Sequence, residues 1–108
     1  MPYSPKQPEQ AVIVHFQYGR TDLQPLSEIE ARLEAAIKNA GVGEFDGDEI
    51  AEDGSDGSLY MYGPDADNLF AIVQPILNSS DFMQGAFVTV RYGPPQVSTK
   101  EFKVKIGV

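Results

Sequence analysis

The stretch Gly57-Ser58-Leu59-Tyr60-Met61-Tyr62-Gly63-Pro64-Asp65-Ala66-Asp67-Asn68-Leu69-Phe70-Ala71-Ile72-Val73-Gln74-Pro75-Ile76-Leu77 decides the fold, because the period of its apolar residues changes partway along it. From Ser58 to Tyr62, Leu59 and Met61 alternate with Tyr60 and Tyr62, as in a strand with one face buried. After Gly63-Pro64, Leu69, Ile72, Val73, Ile76 and Leu77 form the stripe of an amphipathic helix, with Asp65 placed to cap it. Pro75 lacks the amide that a helix interior uses, so it should kink or shorten the end. A strand therefore leads directly into a helix.

On the N-terminal side, Val12, Val14, Phe16 and Tyr18 alternate with Ile13, His15 and Gln17, which predicts a first strand. Ser27 and Glu30 have the spacing of a capping box, and Leu26, Ile29, Leu33, Ala36, Ile37 and Ala40 then recur at helical spacing until Gly41. Residues 44–51 are expected to form a second strand at a sheet edge, since their carboxylates would discourage edge-to-edge pairing. Asp53-Gly54-Ser55-Asp56-Gly57 has the residues of a hairpin connection to the third strand. On the C-terminal side, Ala86, Val88, Val90 and Tyr92 alternate with Phe87, Thr89 and Arg91 to give a fourth strand, which Gly93-Pro94-Pro95 ends. Phe102, Val104 and Ile106 alternate with Glu101, Lys103 and Lys105, so the segment from Thr99 to Ile106 can form a fifth strand within the chain or pair with another subunit.

The order β-α-β-β-α-β with right-handed crossovers predicts an α+β, ferredoxin-like sandwich. Its four-stranded antiparallel sheet would have the order 4-1-3-2, with two helices on one face and a fifth C-terminal strand as an option. Residues 1–10, rich in proline, are expected to be a flexible N-terminal arm, and residues 11–108 one α+β domain.

Composition narrows the function classes. The 108 residues include no cysteine, which removes disulfides, thiolate metal sites and a cysteine nucleophile. No stretch has the length and apolarity of a membrane span or a secretory signal core, so a cytoplasmic protein is expected. The net charge of −8 repels nucleic acid and anionic membranes alike. Charge is also segregated: no Lys or Arg lies between Lys38 and Arg91, and the last stretch is basic.

No nucleophile elbow, phosphate loop or dinucleotide fingerprint occurs, and the single histidine rules out a multi-histidine metal site. The acidic segment lacks calcium-loop spacing: counted from Asp46, the third position is Asp48 but the fifth is Ile50. No metal, cofactor or catalytic residue is assigned. Two surfaces remain as candidates. One is an acidic partner-binding edge of Asp46, Asp48, Glu49, Asp53 and Asp56. The other is the sheet face away from the helices, where His15, Gln17, Tyr60, Tyr62, Phe87 and Arg91 should gather with Ile13 and Thr89. A homodimer or a segment of the same chain could cover that face. A small ligand or peptide could also bind it, fixed by Arg91 and His15 with the tyrosines stacking. The leading expectation is a non-enzymatic protein-interaction module, inhibitor- or immunity-like, whose partner is another protein, a basic one among the candidates. The alternative is a small-molecule-binding regulatory module on the open face.

The run from Gly57 to Leu77, together with Arg91-Tyr92-Gly93-Pro94-Pro95, resembles a group of small uncharacterised bacterial proteins with a ferredoxin-like fold. The resemblance implies bacterial origin and that fold, and it implies no reaction or ligand. The inferred topology is also similar to that of amino-acid-binding regulatory domains and acylphosphatases, but the phosphate-cradling loop of the latter is missing, and topology alone does not transfer function.

Overall fold

The structure is a computed structural model that describes residues 10–107. Its elements run β1 (Gln10–Gln17), α1 (Gln24–Ala40), β2 (Glu44–Ile50), β3 (Asp56–Gly63), α2 (Ala66–Asn78), a short 3-10 turn (Asp81–Met83), β4 (Phe87–Arg91) and β5 (Glu101–Lys105). Apart from Gln10, which begins β1, the expected arm over residues 1–10 lies outside the described residues.

The protein is α+β, with two helices and one antiparallel sheet of five strands in the order β2-β3-β1-β4-β5. This corrects the expectation of a four-stranded sheet in order 4-1-3-2. The segment from Glu101 to Lys105 returns along β4 of the same chain, in register from Phe87 opposite Lys105 to Arg91 opposite Glu101. The connection folds back on itself: Tyr92 N–H donates to the Lys100 carbonyl, and Thr99 Oγ1 donates to the Pro94 carbonyl at 2.5 Å. With β5 added, β1 becomes the central strand, paired with β3 on one side and β4 on the other.

The strand periods place the core. Val12, Val14 and Phe16 of β1, Leu59 and Met61 of β3, and Val88 and Val90 of β4 are buried under the helices. Leu26, Ile29, Leu33 and Ile37 of α1 and Ala66, Leu69, Val73 and Leu77 of α2 close the same layer. A side chain such as Leu33, wholly buried, contributes about 1.5–3 kcal/mol relative to exposure.

The start of α1 differs from the sequence reading. The helix begins at Gln24 with Pro25 in its first turn, so Ser27 and Glu30 lie inside it and form no capping box. Proline suits that position because its fixed φ is already helical and its missing N–H would have no partner there. α2 starts as expected, with Asp65 Oδ1 accepting from Asn68 N–H at 3.2 Å. Pro75 does not stop the helix, which runs one turn further to Asn78, where Ser79 N–H and Oγ bind the last carbonyls. A lost amide so close to the end removes one bond from a turn that frays anyway.

Candidate functional site

Strand alternation puts every second residue of β1, β3 and β4 on the face opposite the helices, and none of the described residues packs over that face as a layer. In β1, His15 and Gln17 are exposed and Ile13 is half-buried; Phe87 of β4 keeps 51% of its surface. The pairing gives three rows. One row reads Lys105, Phe87, His15, Ser58, Glu49, and the next reads Lys103, Thr89, Ile13, Tyr60, Gly47. The third reads Glu101, Arg91, Ala11, Tyr62, Glu44, with Ala11 buried between its two larger neighbours. The structure thus brings His15, Gln17, Tyr60, Tyr62, Phe87 and Arg91 onto one surface.

The acidic residues do not form one edge. Glu49 is on the open face, where it accepts a hydrogen bond from Tyr60 Oη at 2.5 Å. That bond raises the Tyr60 pKa, because ionising the phenol would set two negative charges together. Asp56 is on the same face, 3.3 Å from His15 Nε2. Asp46 falls where the β2 register shifts between Phe45 and Gly47, and such a bulge on an edge strand hinders pairing with another strand. Asp53 sits in the turn, where Oδ1 accepts from Ser55 N–H at 2.9 Å and its pKa is lowered by its hydrogen bonds with Ser55. Asp48, opposite Leu59, points to the helix side.

There Asp48 meets Glu30 of α1. Partial burial, a hydrogen bond from Asp48 and the charges of Asp48 and Glu34 push the Glu30 carboxyl up to about 8. A shallow groove of about 430 Å³ runs past this pair, lined by Ser27, Glu30, Ala31, Glu34, Phe45, Asp46 and Gly47. No cluster of three or more metal-ligating side chains occurs among the described residues.

His15 also has Nδ1 3.2 Å from Ser58 Oγ, so it bridges a serine and a carboxylate as in a hydrolase triad. The surroundings do not suit acyl transfer. Ser58 is in mid-strand, paired with His15 on one side and Glu49 on the other, so the β3 amides are committed to the ladder and cannot converge on an oxyanion. The histidine and Asp56 are also substantially exposed, in a position that does not exclude water.

Arg91 is engaged as well, its Nε donating to the Gly93 carbonyl at 2.7 Å. A depression of about 360 Å³ beside β2 is bounded by Asp46, Gly47, Asp48, Glu49, Tyr60 and Tyr62. His15 and Arg91 lie two rows apart on the sheet and do not converge on it.

The sequence reading assigned no role to Ser58, to Glu30 opposite Asp48, or to Lys103 and Lys105 on the open face. The alternation around Phe102 was a usable signal for the lysines, but it does not say which edge β5 takes. Arg20, which stacks 5.3 Å from the Tyr18 ring and 5.4 Å from the Phe82 ring, likewise had no local pattern. In comparison with known proteins, the chain matches no family model, no curated protein and no solved structure. No helix among the described residues is long and apolar enough to cross a membrane.

Proposed function

We propose that this chain is a non-enzymatic protein-interaction module, of the inhibitor or immunity kind, that docks another protein on its uncovered sheet face. Its core reads as a ferredoxin-like βαββαβ sandwich to which β5 has been added. The observation that carries the functional reading is the face itself: Ile13, Tyr60, Tyr62 and half-exposed Phe87 form one surface beside carboxylates. Aromatic residues inside a polar rim are the composition of a protein interface rather than of ordinary solvated surface. Flatness favours a protein over a small ligand, because a ligand site needs concavity with converging polar groups. The polar groups here are also occupied: Arg91 by Gly93, His15 by Ser58 and Asp56, and Tyr60 by Glu49.

Glu44, Glu49 and Asp56 should steer a partner that is basic where it meets the β2 side of the face. Hydrogen exchange on the protein with and without a purified partner tests this reading. Slowed exchange is expected in β2 and β3, weakened by salt and by charge reversal at Glu49 or Asp56. Protection confined to α1 and α2, with no salt dependence, would sink it.

A further inference from the structure

The open face carries a charge gradient. At its β2 edge stand Glu44 and Glu49, with Asp56 close by on β3; at its β5 edge stand Lys103 and Lys105, and the strand between them, β1, is the middle one of five. The chain therefore displays on one surface both the acidic patch and a basic stripe that would match it. Resting on the docking reading above, we propose that the partner of this face is a second copy of the chain, laid face to face about a dyad parallel to β1.

The dyad follows from the charges. Rotation about an axis along the central strand maps β1 onto β1, β3 onto β4 and β2 onto β5. In the first row Lys105 then lies over Glu49 and Phe87 over Ser58; in the second, Thr89 lies over Tyr60 and Ile13 meets its own copy at the apolar centre. The third row sets Arg91 over Tyr62 and contains the like-charged pairing of Glu101 with Glu44. Stacked sheets twist by about 30°, which spreads each pairing over neighbouring rows and draws Lys103 toward the acidic edge. An axis running across the strands would instead set β5 on β5, lysine over lysine, and β2 on β2.

Size is adequate for such an interface. Five strands at about 4.8 Å spacing and about 3.3 Å per residue cover roughly 24 by 20 Å. Side-chain relief raises the accessible area of that patch toward the roughly 800 Å² per partner of a stable interface. Each contact between opposite charges occurs twice by symmetry, once on each side of the dyad.

Sedimentation equilibrium on the full chain tests the proposal with two charge-reversal variants, Lys105→Glu and Glu49→Lys. Wild type should sediment as a dimer that weakens with salt, and each variant alone should dimerise at least ten-fold more weakly. Mixing the two variants in equal amounts should restore a dimer, because both reversed contacts become attractive in the heterodimer. Unchanged urea midpoints confirm that the variants fold, and Ile13→Glu provides an independent disruption at the dyad. A monomeric wild type at all concentrations, variants that pair like wild type, or a mixture that stays monomeric would each overturn the proposal. A monomeric wild type whose β2 and open face are still protected by another protein would leave the docking reading standing. A dimer protected only on its helix layer would remove both.

Discussion

Replacing Glu30 with glutamine should make the protein more stable at high pH and leave it unchanged at low pH. Burial and the neighbouring Asp48 raise this carboxyl from the ordinary 4.5 to about 8 in the folded state. The folded chain therefore holds a proton that the unfolded chain releases above pH 4.5. The stabilisation tied to that proton is complete below 4.5 and declines as pH rises, until it is lost past about 8. At about 1.4 kcal/mol for each pH unit, the full displacement sets a ceiling of about 5 kcal/mol. The side chain is only half-buried and the groove is open to water, so screening reduces the expected effect to about 1–2 kcal/mol.

Urea unfolding of wild type and Glu30→Gln at a series of pH values is the assay, read as the difference between the two proteins so that the other carboxylates cancel. That difference should be near zero at pH 4 and grow to about 1–2 kcal/mol above pH 8, a rise in Tm of about 4–16 °C. Asp48→Asn should give part of the same gain, and the double variant less than the sum of the two, because the substitutions remove one shared repulsion. Parallel pH profiles separated by a constant offset would refute the reasoning.

Three further outcomes test the fold. Asp65→Ala removes the side chain that caps α2 at Asn68 N–H and should cost about 1 kcal/mol in urea unfolding. Leu33→Ala, at a wholly buried position of α1, should cost about 2–5 kcal/mol, whereas Leu23→Ala, at an exposed position before the helix, should cost under about 0.5 kcal/mol. Gly54→Ala should destabilise by about 1–3 kcal/mol, since the residue sits at φ +74° and a Cβ there would lie 2.3 Å from the Arg20 carbonyl oxygen. A wild-type urea midpoint for Gly54→Ala would show that this turn can relax.

The legible parts of the fold were those coded by neighbours in the chain. Asp65 acts as the expected cap because an N-cap requires only a short polar side chain within three residues of its amide. Gly41 ends α1 at φ 66° for an equally local reason, the absence of a Cβ. The capping box at Ser27 and Glu30 had the right spacing in the wrong turn, since Pro25 starts the helix earlier. The contact between Phe82 of the short turn and the Phe16 and Tyr18 rings had no periodic signal, because three residues are too few to show a period.

The candidate site divides in the same way. Alternation alone placed His15, Tyr60, Phe87 and Arg91 on one face. It could not separate Asp48 from Glu49, because a bulge at Asp46-Gly47 interrupts the β2 ladder and only the pairing with β3 shows which carboxylate meets Glu30 and which meets Tyr60. By itself the sequence determined the order of elements, their faces and their caps, since Cβ direction repeats every two residues in a strand and about every 3.6 in a helix. The tertiary structure decided that β5 closes the sheet beside β4, which sets Lys103 and Lys105 across the same face from Glu44 and Glu49. Strand order and register depend on loop closure and on pairing between residues far apart in the chain, and no local period records either.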